Sequence, residues 1–263
     1  MNQEEATVSI TNRAFFNGDS VKEVLRFVNG EIKDWEDHYF NLMASMRIYR
    51  MNIPLSFTPE FFQEQIQFVA SANEIKNGKV LFFVYRESNV DLLKSAINYV
   101  VEITPSSNEW ELYSEDAEID VYKDFAINQS FYSLVNAPKP EEYIAEIYRL
   151  ENEYSDLILL NSSKRMGRSL RGSIFIVKDG ILKTPKAEEG VITSVLRNNF
   201  IKKINASEKY KVEELEIFPF EIQKADEVFI LIDGEGILSI TKNRKKVYTT
   251  IHTKEIFDLY FKD

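Results

Sequence analysis

The amino-acid sequence predicts a mixed α/β protein built as two domains. Apolar runs of strand length alternate with segments whose apolar residues recur at helical spacing, and two Asn-Gly or Asp-Gly pairs indicate hairpin turns. A length of 263 residues allows two domains of ordinary size. The stretch 105–120, which begins with Pro-Ser-Ser-Asn and holds a cluster of acidic residues, resembles a linker. We therefore expect a small N-terminal domain over 1–113, an interdomain linker over 114–128 and a large C-terminal domain over 129–263.

The N-terminal half contains both apolar runs typical of strands and apolar residues at helical spacing. Strands are predicted over 21–28, 80–85 and 99–104, where the residues are apolar and often β-branched. Asn29-Gly30 turns the first of these strands into a hairpin. From Asp34 onward the apolar residues fall on one face of a helix. Thr58 followed by Pro59 is a preferred helix start, because threonine caps the helix and proline suits its first position.

The C-terminal half is organised around the stretch 157–185. This stretch contains a strand over 157–160, a polar and basic loop over 161–172, a strand over 173–177 and a strand over 181–184. Asp179-Gly180 closes the last two strands into a hairpin. Helices are predicted over 141–154, 190–204 and 253–260, and strands over 210–218, 228–232 and 237–240. In the first of these helices we expect an inward-facing side made of Tyr143, Ile144, Ile147, Tyr148 and Leu150.

The composition excludes several classes of function. The formal net charge is −10, and a field of that sign repels nucleic acid and anionic membranes, so we expect neither as a partner. The chain has no cysteine and two histidines, His38 and His252, so we expect neither disulfides nor a metal site. We find no membrane-spanning apolar run and no charged-then-apolar leader, and we expect a cytoplasmic protein.

Three motifs follow one another along nearly the whole chain. The first begins with Asn12-Arg13-Ala14-Phe15 and continues with Gly18-Asp19, Glu23 and Asp37-His38. The second spans 156–185, with a D-x-x-L-L-N strand, an F-I-V-K-D-G hairpin and a closing T-P. The third is A-D-E-V-F over 225–229. Together they resemble the class IV aminotransferase superfamily, which includes branched-chain aminotransferase, D-amino-acid aminotransferase and aminodeoxychorismate lyase.

The resemblance implies the D-amino-acid aminotransferase-like fold. In that fold a small N-terminal α/β domain and a larger, β-rich α/β C-terminal domain meet at a cleft. The resemblance also implies pyridoxal 5′-phosphate (PLP) in the cleft, and a homodimer. The family holds PLP on a lysine as a Schiff base, which suits a desolvated lysine because its lowered pKa leaves a nucleophilic amine. PLP is the electron sink, and the protein orients it.

Three single positions depart from the family pattern. The lysine position falls on Val135 or Asn136, and the nearest lysine is Lys139, which lies between two prolines. Arg168 stands where the family has the glutamate that pairs with the pyridine nitrogen, and an arginine cannot keep that nitrogen protonated. Asn41 stands where the family has its phosphate arginine, three residues after the histidine.

The phosphate-binding turn of the family, G-[IV]-T-R, is the fourth departure. It reads Ser194-Val195-Leu196-Arg197 here. The arginine is kept, but the glycine that lets backbone N–H groups close on a phosphate is absent, and so is the threonine. The cofactor or anion ligands that the resemblance implies are therefore Arg168, Arg197, Ser194, Val195 and Asn41.

Three functions remain open from the sequence. The favoured one is an aminotransferase-like or aminodeoxychorismate-lyase-like pseudoenzyme that has lost Schiff-base catalysis and holds no PLP, because four groups are absent together. Such a protein would bind an anionic small molecule through Arg168, Arg171 and Arg197, or serve as an interaction subunit. The alternative is an active PLP-dependent aminotransferase or 4-amino-4-deoxychorismate lyase that uses Lys139 in a shifted loop. The third is an interaction protein on this fold without any ligand.

Each candidate residue also has a structural interpretation. We interpret Lys139 as a solvated loop lysine in preference to a Schiff-base lysine, because prolines and charged residues flank it. The basic loop 164–171 carries four basic groups in eight residues, which fits either a solvated loop or an anion site. His38 is expected to be a hydrogen-bonded residue of the first long helix. We interpret Asp226 and Glu227 as structural, not as a catalytic pair.

Overall fold

A computed structural model of the chain describes residues 7–9, 11–87 and 92–262. The residues form two compact units, one of Met1–Ser106 with Asn136–Lys139 and the other of Ser107–Val135 with Pro140–Asp263. The chain therefore enters the first unit twice. The stretch expected to be a linker contains a nine-residue strand of the second unit. The domain boundaries drawn from the sequence stay a prediction.

The first unit is a four-stranded antiparallel sheet with three helices. Its strands are β1 (Ser20–Val28), β2 (Glu31–Ile32), β3 (Gly78–Arg86) and β4 (Ile97–Pro105), in the order β2-β1-β3-β4. Its helices are α1 (Arg13–Asn17), α2 (Trp35–Ile48) and α3 (Pro59–Ala72). A short 3₁₀ turn covers Leu92–Lys94.

Local sequence signals account for this unit. Asn29 and Gly30 both adopt positive φ, 51° and 85°, as the hairpin between β1 and β2 requires. The Thr58 hydroxyl accepts the Phe61 N–H at 3.2 Å and caps α3, as predicted. Phe62 of α3 packs against the sheet, its ring 4.8 Å from that of Phe82 on β3.

The second unit is richer in strands. Its six-stranded sheet has the order β11-β10-β9-β12-β13-β5, a three-stranded sheet has the order β6-β7-β8, and β14 pairs with β15. The strands are β5 (Glu111–Tyr113), β6 (Ile119–Ile127), β7 (Asp156–Asn161), β8 (Met166–Ser169), β9 (Ser173–Lys178), β10 (Ile181–Pro185), β11 (Lys211–Leu215), β12 (Glu227–Ile232), β13 (Gly236–Ile240), β14 (Lys242–Asn243) and β15 (Lys246–Val247). The helices are α4 (Pro140–Glu151), α5 (Val195–Ala206) and α6 (Ile251–Phe261), and 3₁₀ turns cover Phe131–Leu134, Ala187–Glu189 and Pro219–Lys224.

The strand β9 is buried on both faces of the six-stranded sheet. Ile174 and Ile176 contribute to the apolar cluster on one side, which includes Ile230. Phe175 and Val177 contribute to the cluster on the other side, which α5 and α6 cover. A strand buried on both faces has no polar alternation, which explains the continuous apolar run in its sequence.

Three predicted features of the second unit are corrected. The basic loop contains an unpredicted strand, β8, whose four residues are all buried. The helix predicted from Gly190 begins only at Val195, because Ser194 caps it. The helix α4 turns most of its expected inward side outward, and only Ala145 is fully buried. The large apolar side chains that α4 exposes are Tyr143, Ile144, Ile147 and Leu150.

The A-D-E-V-F motif has a structural role at both of its acids, as predicted. Asp226 accepts the Lys178 ammonium at 3.0 Å and the Asp179 N–H at 2.9 Å, and so fastens the β9–β10 hairpin. Glu227 is fully buried. Its carboxylate accepts the N–H groups of His252 and Thr253, at 2.9 and 2.7 Å, in the first turn of α6. Burial would raise the pKa of Glu227, but these hydrogen bonds hold it below its usual value.

The pKa of Asp156, at the start of β7, is shifted in the direction opposite to that of Glu227. One carboxylate oxygen accepts backbone N–H groups of Leu157 and Leu170, at 2.6 and 3.1 Å, and of Arg171. The other oxygen has no partner among the described residues, and the residue is fully buried. Burial raises the pKa of Asp156 to about 6, against the hydrogen bonds and the charge of Arg171.

Among the residues that the structure describes, no helix combines the length and the apolar character needed to cross a membrane.

Glu227→Gln is expected to lower the free energy of unfolding by about 2 kcal/mol at pH 7, because α6 loses a charged acceptor at its N-terminus. A group with a lowered folded pKa stabilises the protein above its unfolded pKa, about 4.3, and this stabilisation is lost as the pH falls through the folded value. Urea unfolding should therefore show a larger loss at pH 7 than at pH 4. Glu213→Gln, at an exposed ion pair, should change little at either pH. An equal loss at both pH values would contradict the assignment.

Asp156→Asn is expected to remove a loss of stability that the wild-type protein shows as the pH rises. Because the folded pKa is raised, the stability of the wild-type protein should fall by up to about 3 kcal/mol as the pH rises from about 4 to about 6. The variant should lack this slope in thermal melts across that range. Asp120→Asn, on β6 and partly exposed, should keep it. A variant with the wild-type slope would show that Asp156 does not titrate there.

Candidate functional site

The side chain of Arg168 is buried in the second unit, only 4% exposed. Its guanidinium forms an ion pair with Glu142, in the first turn of α4, and donates to the carbonyl oxygen of Gly190. Its Nε has no partner among the residues described. A buried cation needs a counter-charge, and α4 supplies it.

Close backbone packing sets the position of Arg168. A side chain at Gly167 would bring a Cβ within 2.6 Å of the Glu189 carbonyl oxygen. Gly190 has a φ of 96°, and a Cβ there would lie 2.7 Å from the Asn128 carbonyl oxygen. Both positions therefore require glycine: Gly167 lets β8 approach the turn at 187–190, and Gly190 lets that turn approach the main chain at Asn128.

Glu189, in the same turn, is a second buried charge. Arg165 donates to both of its carboxylate oxygens, at 2.6 and 3.0 Å. The amide of Asn161 donates to it at 2.7 Å. The carboxylate thus links the two ends of the 161–165 loop to the turn before α5.

The N-terminal turn of α5 holds the next candidates. The Ser194 hydroxyl accepts the Arg197 N–H at 3.3 Å, which occupies one of the N–H groups that a helix N-terminus can offer to an anion. The Val195 and Leu196 side chains are buried, and Leu196 belongs to the apolar cluster with Phe200. The turn therefore carries alkyl side chains at the two positions that follow Ser194.

Arg197 is 2% exposed and has partners in its own unit. Its guanidinium donates at 2.9 Å to the carbonyl oxygen of Pro185 and at 2.9 Å to the Glu214 carboxylate. Its Nε has no partner within the described ranges. Like Arg168, it is an ion-paired cation whose buried Nε–H has no partner among the described residues.

Asn41 lies in the first unit, on α2, where it contacts Glu23 of β1. The Asn41 amide donates to one oxygen of this buried carboxylate at 2.9 Å, and His38 Nδ1 lies 2.7 Å from the other. His38 is thus a hydrogen-bonded residue of this helix, as predicted. Asn41 serves to hold Glu23 in this arrangement.

The two positions expected for the family's lysine, 135 and 136, belong to different units. Val135 is 2% exposed in the second unit. Asn136 begins the segment of the first unit, where its carbonyl oxygen accepts the Lys22 N–H at 2.8 Å. Lys139, also in the first unit, is half-buried, and its ammonium donates to the Ala137 carbonyl oxygen at 3.2 Å.

The arginines of the basic loop all have acidic partners. Arg165 pairs with Glu189, Arg168 with Glu142, and Arg171 with Glu235 at 3.1 Å. Sequence reasoning did not identify these acids, because they lie 24 to 64 positions away and no local pattern links them to the loop. The basic character of the loop is therefore largely compensated in the folded unit.

Comparisons with known proteins agree with this fold. The family model for amino-transferase class IV matches residues 20–242. A protein of Aquifex aeolicus named "Probable branched-chain-amino-acid aminotransferase" is 24% identical over 98% of this chain and 88% of its own length. The D-alanine aminotransferase of Listeria monocytogenes is 23% identical over 91% of this chain and 83% of its own length.

A solved structure shows the same fold over almost the whole chain. The branched-chain aminotransferase of the archaeon Thermoproteus uzoniensis superimposes with a TM-score of 0.87, at 22% identity, over 99% of this chain and 90% of that one. The predicted mixed α/β, aminotransferase-type fold is confirmed. From the family match and these likenesses together, we conclude that this chain belongs to the class IV aminotransferase family.

Proposed function

We propose that this class IV aminotransferase-fold protein does not form a PLP Schiff base and acts by binding, not by transamination or lyase chemistry. The observation that carries the proposal is the buried ion pair between Arg168 and Glu142. The family is PLP-dependent, whereas the residues of this chain at the expected cofactor positions do not fit PLP.

The ion pair reverses the charge at the position that the family uses for the pyridine nitrogen. A guanidinium is always protonated and has no acceptor, so it cannot accept a pyridinium N–H. It would also repel the ring's positive charge in a buried setting. Because Glu142 compensates Arg168 within the same unit, the replacement is integrated in the fold.

The other positions do not fit PLP in the family's manner either. Leu196 offers an alkyl group where a hydroxyl would contact a phosphate, and Asn41 holds Glu23. No lysine stands at position 135 or 136. These are four separate chemical mismatches between the residues present and PLP.

A small anion is the ligand that the remaining groups support. The Nε atoms of Arg168 and Arg197 are both buried without a partner among the described residues. Buried donors without partners are rare, and an anion or water would satisfy them.

Titration with inorganic phosphate, followed by calorimetry, tests whether the protein binds a small anion. The wild-type protein should bind phosphate and Arg197→Met should not.

Incubation with PLP is expected to give no Schiff-base absorption band at stoichiometric cofactor. Borohydride reduction followed by peptide mass spectrometry should find no adduct on Lys139. The opposite result, a band that Lys139→Ala removes, would support the alternative of an active aminotransferase or 4-amino-4-deoxychorismate lyase. Lys202→Ala, at an exposed lysine of α5, is the matched control for non-specific adducts.

Glu142→Gln is expected to lower the free energy of unfolding by about 3 kcal/mol, because it leaves a buried guanidinium without a counter-charge. Arg168→Met combined with Glu142→Gln should cost less than the two single changes together, by about 1–3 kcal/mol, since the partners are coupled. Urea unfolding of the wild type, Glu142→Gln, Arg168→Met and the double variant measures this coupling as a double-mutant cycle.

Glu146→Gln is the control on the same helix. Its carboxylate is 40% exposed and pairs with Arg149 three residues away, so the loss should stay below about 1 kcal/mol. Additive effects at 142 and 168 would show that the two side chains do not interact, and would remove the main support for the proposal.

A further inference from the structure

The outermost strand of the antiparallel sheet in the first unit has an open edge. This strand, β4, spans nine residues, Ile97–Pro105, and among the described residues it pairs with β3 alone. Just before the strand, the Ala96 carbonyl oxygen accepts the Glu87 N–H at 2.9 Å. Just after it, the Ser106 N–H donates to the Asn77 carbonyl oxygen at 3.1 Å. Because bonded residues alternate along an antiparallel ladder, the even-numbered residues of β4 bond to β3, and the odd-numbered ones direct their N–H and C=O groups outward.

Between positions 98 and 104, the outward backbone groups belong to Tyr99, Val101 and Ile103. No backbone hydrogen bond joins them to another segment within the described ranges of the chain. The row of donors ends at Pro105, which has no N–H. A row of backbone donors and acceptors at a sheet edge is a template for a further strand.

The other edge strands of the two larger sheets are shorter. The strand β2 has two residues and β5 has three. The strand β11 has five, but three of them are charged, Lys211, Glu213 and Glu214, and charged side chains on an edge discourage pairing. The strand β4 has one charged residue, Glu102, and several β-branched residues. It is therefore the edge best suited to accept another strand.

The helix α3 lies beside this edge. The ring of Phe61 is 5.7 Å from that of Tyr99 and perpendicular to it. Phe68 follows Phe61 by seven positions, hence on the same side of α3, and it is 64% exposed. In a strand added to β4, the side chains on the same face as those of Tyr99 and Val101 would contact this side of α3. We call this surface, made of two aromatic residues of α3 and three residues of β4, the β4 groove: Phe61, Phe68, Tyr99, Val101 and Ile103.

We propose that the β4 groove binds an extended, basic peptide segment of a partner protein, which adds a fifth strand to the sheet. A groove between an edge strand and a helix supports this mode of recognition, because main-chain hydrogen bonds supply affinity and alternate side chains supply specificity. The peptide residues beside Tyr99, Val101 and Ile103 would be apolar. The inference concerns the first unit alone and does not depend on the proposed loss of PLP chemistry.

The charge of the partner segment follows from the opposite face of β4. Glu102 is exposed there and has no ion-pair partner in the part of the chain that the structure describes. The chain as a whole carries a formal net charge of −10. A lysine or arginine across from Glu102 would form a favourable cross-strand pair, whereas an acidic residue would be repelled. A basic segment is therefore favoured over an acidic or neutral one.

Binding of a synthetic peptide tests the proposal. The probe is the fluorescein-labelled peptide Thr-Val-Lys-Val-Lys-Val-Thr, whose valines would lie beside the outward residues of β4. Fluorescence anisotropy should show binding to the wild-type protein in the micromolar range. The same peptide with N-methyl groups on its three valines should bind about tenfold more weakly, because it has lost the N–H groups that β4 would accept.

Val101→Pro removes one outward N–H of β4 and leaves the ladder to β3 intact, since proline is tolerated on the free side of an edge strand. The variant should keep a cooperative thermal melt and bind the probe about tenfold more weakly. Val101→Thr is the matched control, because it keeps both the N–H and the β-branched shape. It should bind the probe within about twofold of the wild-type affinity.

A charge exchange keeps the test independent of any folding defect in Val101→Pro. Glu102→Lys should weaken binding of the lysine-containing probe and bind a version with glutamates in place of the lysines, which the wild-type protein should not bind. No binding of the probe by the wild-type protein would overturn the proposal. So would equal binding of the N-methylated peptide, or an unchanged charge preference in Glu102→Lys. A wild-type dimer that the probe dissociates in sedimentation would assign the edge to a second copy instead.

Discussion

The second unit depends on one constraint, which is that a charge buried among apolar strands must have an ion-pair partner or a full set of hydrogen bonds. Four charged side chains meet this requirement in different ways. Arg168 takes Glu142, Arg197 takes Glu214, and Glu189 takes Arg165. Glu227 takes no cation, and its acceptor oxygens are saturated by the first turn of α6 instead. Each pairing joins segments distant in sequence, so the polar contacts direct how the apolar strands are assembled.

The same constraint bears on the interpretation of the chain within its family. A family position can change its charge only if the fold supplies a new partner, because an isolated buried ion is unstable. Glu142 supplies such a partner for the buried guanidinium of Arg168.

Sequence patterns predicted the elements that obey a local rule. The strands of the 157–185 stretch, the hairpins at Asn29-Gly30 and Asp179-Gly180, and the Thr58 cap all depend on neighbouring residues. The strand β8 was missed because the burial of Arg168 depends on a carboxylate 26 positions away. The orientation of α4 was wrong because both of its sides are apolar, and periodicity alone cannot say which side faces the sheet. At the candidate site, sequence identified Arg168, Asn41 and Arg197 as positions of interest, but neither Glu142 nor Glu214, the acidic partners of the two arginines.

The double entry of the chain into the first unit has a consequence for how the protein is made. The strand β1 gives a main-chain hydrogen bond to Asn136, and Gly18 lies close to Pro138, so the segment 136–139 is an integral piece of that unit. A ribosome that has released only residues 1–106 has not yet delivered this piece. The amino-terminal unit cannot complete its folding until residues 136–139 have been synthesised. By then the first strands of the other unit have also been synthesised, so the two units do not fold strictly one after the other. Truncation at Ser106 would not liberate an intact folding module.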